Sequence, residues 1–167
     1  YKTVGCNAIF RDFIPDHTVC ADQRMVQEAV ENKINNTSLI YTRQEWFNCY
    51  HKSHKRIRLL PELPYAGSER ADNPWHWGSG PYAVLLACKL TQNNTVSLLG
   101  FDLYGLDGKT NNVYKNTKHY ATAGKKCVDP RYWIYQISKC FECFPKIKFT
   151  IYQTADWQQP KSWKKNN

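Results

Sequence analysis

Three kinds of residue in this chain could move a proton or hold a phosphate: a loop histidine beside a tyrosine, a Gly-Ser-Gly turn, and polar side chains placed where strands end. His119 lies in the polar run Asn116-Thr-Lys-His-Tyr120. Imidazole takes or gives a proton near neutral pH, so His119 is a candidate general base, although a lone loop histidine is commonly only solvated. Gly78-Ser79-Gly80 stands directly before Pro81 and an apolar run. A turn of this kind offers backbone N–H groups and the positive end of a helix to an anion, and an ordinary helix cap explains it equally well. The cluster Trp75-His76-Trp77 precedes the turn, and large rings on a loop ask for a ligand or partner. Asn7, Asp22, Asp102 and Tyr104 follow the apolar runs that read as strands.

The elements that position these residues follow from hydrophobic periodicity. Thr3 to Asn7 reads as the end of a strand, His17 to Asp22 as a second, Thr37 to Thr42 as a third, and Arg56 to Leu60 as a weaker one. Met25, Val26, Ala29, Val30 and Ile34 mark one face of a helix over Arg24 to Ile34. Pro64 to Gly80 is a long loop. A helix then runs from Tyr82 to Leu90, a strand from Thr95 to Phe101, and a polar loop from Tyr104 to Lys126. Asp129-Pro130 opens the next helix, and Lys146 to Tyr152 is the last strand. Thr95 to Phe101 reads as apolar on both faces and is expected at the sheet centre. Alternating strands and helices imply an α/β fold: one Rossmann-like domain over 1–155, with a mostly parallel sheet flanked by helices, and a basic tail over 156–167. In such sheets ligands bind at the carboxyl ends of the strands, where the polar residues above collect.

The 167 residues are 42% hydrophobic and 14% aromatic, enough for a real core and against disorder of the whole chain. The longest apolar run, Ala83 to Cys88, is far short of the roughly 18 residues of a membrane span. A cytoplasmic location is expected, or a peripheral one at the inner membrane surface. Seven cysteines, several inside apolar patterns, argue against a disulfide framework. Cys140 and Cys143 read as two helical thiols, since zinc needs about four ligands and no second pair exists. A net charge of +9 favours polyanions, with basic clusters at His51 to Arg58 and Lys161 to Lys165 that also read as solvated surface.

Taken together, Gly5-Cys-Asn7, Gly78-Ser-Gly80 opening a helix, Leu99-Gly-Phe-Asp-Leu-Tyr104, His119-Tyr120 and Ile147 to Tyr152 resemble, in order and approximate spacing, the bacterial lipooligosaccharide sialyltransferases. More distantly the chain is similar to the pterin pyrophosphokinase-like proteins. The resemblance implies that Asn7 and Ser79, with Gly78 and Gly80 of the turn, hold a cytidine nucleotide. It also implies that Tyr104 contacts its phosphate and that His119, paired with Tyr120, is the general base. The family's arginine three residues before the helix-opening serine is His76 here. The family's first strand and its Gly-Asn-Gly-Pro-Ser loop are expected upstream of Tyr1.

The implied activity is transfer of a sialic-acid-like sugar from a CMP-sugar to a sugar hydroxyl of a glycan acceptor, with no cofactor and no metal required. Asp22 and Asp102 would then orient substrate or serve structure. A pyrophosphokinase-like enzyme would instead use them to hold magnesium. A third expectation is a non-catalytic module, viral or from a mobile element, whose basic patches bind nucleic acid or protein; self-association into a homo-oligomer is compatible with all three.

Overall fold

The structure is a computed structural model that describes residues 1–164. Its strands are β1 (Val4–Cys6), β2 (His17–Val19), β3 (Leu39–Thr42), β4 (Ile57–Leu59), β5 (Thr95–Leu99) and β6 (Lys148–Tyr152), and its α-helices are α1 (Gln23–Glu31), α2 (Gln44–Tyr50), α3 (Ser79–Leu90) and α4 (Arg131–Cys143). Strands β1 to β4 form one all-parallel sheet in chain order, and β5 and β6 form a separate parallel pair. The fold is therefore α/β, with parallel strands joined through helices and turns.

The first sheet is covered on both faces, and the strand alternation shows how. Val19 and Tyr41 pack with α3 and α4, whereas Cys20 and Ile40, one residue on or back, pack with α1. Trp77, Trp163, Phe141 and Leu85 fill the first core, and Phe10, Met25, Val26 and Ile34 fill the second. Helix α3 is buried on almost every side, because it packs on β1 and β2 and also against α4 and β5. Each large apolar side chain removed from water in this way contributes about 1.5–3 kcal/mol.

Two expectations are corrected. Thr95–Leu99 is not central: Val96 and Leu98 are buried while Thr95, Ser97 and Leu99 are exposed, and β6 is its sole strand partner among the described residues. Its first four residues alternate polar and apolar, the pattern of a strand covered on one face. The fully enclosed strand is β2, whose His17, Thr18 and Val19 are all buried despite two polar residues. Helix α2 adds an element where periodicity predicts none; Trp46, Phe47 and Tyr50 lean on the second core. Finally, the described part of the basic tail packs on the domain, where Trp163 is wholly buried and Trp157 lies on the same core. Its last three residues lie outside the described ones.

The cysteines are free, with Cys20, Cys88 and Cys140 buried and Cys143 half-buried. Burial pushes the thiols of Cys6 and Cys88 up to about 11 and about 12. No helix among the described residues is long and apolar enough to cross a membrane.

Candidate functional site

Strands β1 and β2 end side by side, and the segments leaving their carboxyl ends build the site. After β1 the chain enters a 3-10 turn, Asn7–Arg11, through Asn7 at φ 52°, a left-handed conformation that asparagine tolerates better than most residues. The Asn7 Oδ1 is buried and has no hydrogen-bond partner. Unsatisfied buried acceptors are costly, which marks this atom as one built to meet something else. After β2, Asp22 caps α1 with its backbone, and its carboxylate makes no cap bond.

The start of α3 is tied to the same corner. The Ser79 hydroxyl is buried and accepts a hydrogen bond from the Ala21 N–H at 3.1 Å. Gly78 lies so close to the Trp133 ring that a Cβ would be tight there, whereas a Cβ at Gly80 would make only an ordinary contact with Phe101.

The fourth component arrives from the 104–126 loop, docked by Arg11. The Arg11 Nε and Nη2 donate to the two carboxylate oxygens of Glu28 at 2.7 and 2.8 Å. Its Nη1 donates to Thr117 Oγ1, and Nη2 also to the Lys118 carbonyl, while the guanidinium lies over the rings of Tyr114 and Tyr120. Tyr120 then reaches inward, where its hydroxyl accepts from the Ala8 N–H at 3.3 Å and donates to Met25 Sδ at 3.7 Å. Burial pushes the Tyr120 phenol up to about 12. His119 is held at φ 72°, an uncommon conformation for a residue with a Cβ, and its Nε2 stands 3.8 Å from Glu28 Oε2. Glu28 itself is held below the usual carboxylate range by the Arg11 hydrogen bonds.

The result is a cleft of about 70 Å³ lined by Asn7, Asp22, Arg24, Met25, His119 and Tyr120. Of the residues singled out in the sequence, Asn7, Asp22, His119 and Tyr120 thus meet in one place, and Ser79 adjoins them through Ala21. Gly78, Ser79 and Gly80 do not line this cleft, and Asp102, Tyr104 and His76 stand apart from it. Asp102 accepts from Asn111 Nδ2 and, through its carbonyl, from Trp157 Nε1, so it anchors the loop after β5; burial raises its carboxyl pKa. Tyr104 is exposed beyond it. His76 sits on a 3-10 turn, Pro74–His76, where its Nε2 receives Arg70 Nε. Asp22 and Asp102 therefore do not share a cleft, and no group of three or more His, Cys, Asp or Glu side chains is gathered in ligating geometry among the described residues.

Sequence reasoning missed Arg11, Glu28, Arg24 and Met25. Glu28 had a signal: it lies three residues after Met25, on the inward stripe of α1, where a carboxylate needs a partner. That the partner is Arg11 depends on the turn after β1, which no local pattern announces. Comparison of the chain with protein-family models, with curated proteins and with solved structures finds no match.

Proposed function

We propose that the chain transfers a sialic-acid-like sugar from a CMP-sugar to a glycan hydroxyl. The observation that carries this reading is the convergence of His119 with Asn7 and Asp22 beside the start of α3. A volume near 70 Å³ suits a phosphate group, while whole ligands occupy roughly 300–1000 Å³, so the donor's phosphate enters the cleft and its base and sugar lie across the mouth. Asn7 meets the nucleotide, and Arg24 is the cation at hand for the phosphate, the part that the resemblance gives to Tyr104. His119 takes the proton of the acceptor hydroxyl as its oxygen bonds to the sugar's anomeric carbon. The bond from that carbon to the phosphate breaks, and CMP departs with the electron pair.

The test is a thermal-shift titration with CMP and a CMP-sugar, then an assay for glycosyl transfer. Protection by cytidine nucleotides is expected, because a ligand that binds only the folded state stabilises it. His119→Ala should lower turnover about 100-fold or more with nucleotide protection retained. Stronger protection by ATP with magnesium would replace this reading with the pyrophosphokinase-like one.

One observation favours a second reading, a polyanion-binding module. Lys52, Lys55, Arg56 and Arg58 form no ion pair with a carboxylate among the described residues, and Arg56 is bonded to the Thr37 and Ser38 carbonyls at the amino end of β3. This patch lies at the opposite end of the sheet from the cleft. Binding that weakens steeply with salt, without turnover, would support it.

A further inference from the structure

The segment between β4 and α3, residues 60–78, has no strand or α-helix, yet it is held in one shape from within. Asp72 is buried; its Oδ2 accepts from the Glu69 N–H and its Oδ1 from the Tyr135 hydroxyl, both at 2.9 Å. Gln136, wholly buried on α4, donates to the carbonyls of Ala71 and His76 at 3.2 and 3.0 Å. Trp77 is sunk in the core, and Arg43 Nη2 donates to its carbonyl at 3.0 Å. Gly67 passes so close to the Asp72 carboxylate that any Cβ would collide with it. Polar bonds from α4 and from Arg43, just before α2, therefore fix a loop that solvent would otherwise leave mobile, as recognition loops on rigid scaffolds are fixed.

Its outer side forms a cleft of about 450 Å³, much larger than the one beside Asn7, and its walls include Ser68, Glu69, Arg70 and Asn73. Trp75 follows the cleft-lining Pro74 and is 54% exposed, with the Arg43 guanidinium 4.6 Å over one face of its ring. Arg70 reaches His76, and His76 meets the exposed ring of Tyr132 edge-on. The cleft thus presents a carboxylate, a guanidinium, an amide and a hydroxyl, and the half-exposed Trp75 ring is next along the chain from its wall. Glu69 and Asp72 disfavour a phosphate backbone, and an aliphatic ligand would leave the polar walls unmatched. A sugar satisfies both, since its hydroxyls donate and accept and its C–H face lies against a ring.

We infer that this cleft binds a neutral sugar ring and is the glycan acceptor subsite, the second part resting on the transferase reading above. Along the chain, the segment that walls this cleft continues through Trp77 and Gly78 to Ser79, whose hydroxyl holds the strand end beside Asp22.

The experiment uses the full chain, lactose and N-acetyllactosamine as probes, saturation-transfer NMR and tryptophan fluorescence. Both probes should bind without nucleotide. Trp75→Ala should weaken binding tenfold or more at an unchanged thermal midpoint, and Arg70→Ala, at an exposed side chain, should weaken it likewise and guards against a folding defect at Trp75. Saccharide binding without CMP protection would keep the cleft and discard the transferase. CMP protection without saccharide binding would discard the cleft. Variants that bind as the parent does, or a single-stranded oligonucleotide that binds in place of the sugars and is lost in Trp75→Ala, would also overturn it.

Discussion

Glu28 shows how one side chain can set a site it does not line. Its carboxylate takes both Arg11 hydrogen bonds and stands 3.8 Å from His119. Glu28→Gln should destabilise the fold by about 2 kcal/mol in urea titrations, the usual worth of a hydrogen bond to a charged group, because Arg11 is left with a neutral partner. Its carboxyl is lowered in the folded state, so its contribution is full above the ordinary glutamate pKa of roughly 4.3 and is lost as pH falls below it. His17 adds an earlier step. Burial, then the charge of Lys2, depress its imidazole, which lies 3.2 Å from the Tyr41 hydroxyl. A histidine kept neutral stabilises above its unfolded pKa, so stability should begin to decline as pH drops below roughly 6.5. His17→Asn should flatten unfolding free energy against pH between about 6.5 and 5, and a slope identical to the parent's would refute the assignment.

Among the elements, Ser79 at the head of α3 has a structural part as well as its proposed place beside the donor. Ser79→Ala leaves the buried Ala21 N–H without its acceptor and should cost about 1–3 kcal/mol, measured as a lower urea midpoint with an unchanged slope. Gly67→Ala should also lower the midpoint, since the loop must shift away from Asp72. Helices α1, α3 and α4 and all six strands were legible because period and caps are local signals: Met25, Val26 and Ala29 on one stripe, Pro81 in the first turn of α3, Asp129 accepting from the Arg131 N–H. Strand order was less so. Leu98 and Leu99 read as a continuous apolar run, and whether Leu99 meets a neighbour is decided by which strands pair with β5. Helix α2 was hidden because its apolar residues, Trp46, Phe47 and Tyr50, are flanked by a basic run that reads as surface. Of the site, Asn7, Asp22, His119 and Tyr120 were each visible as strand-end or loop residues. Their meeting depends on the long-range Arg11 contacts to Thr117 and Lys118.

For the molecule as a whole, the arrangement of its two sheets matters most. No backbone hydrogen bond joins β1 to β5 among the described residues, and both sheets lean on α3. A continuous ladder would make every strand melt together; side-chain packing against a shared helix couples them more weakly. Amide hydrogens of β2, enclosed on both faces, and of β3 paired beside it should exchange only through global unfolding, whereas those of β5 and β6 should exchange through a partial opening of lower free energy. Native-state exchange in dilute denaturant should resolve these as two cooperative units, and one common isotherm for all strand amides would refute it. The lower unit includes β5, but the loop that follows it is bonded to the first unit through Arg11 and Tyr120, so His119 should stay with the part of the protein that opens last.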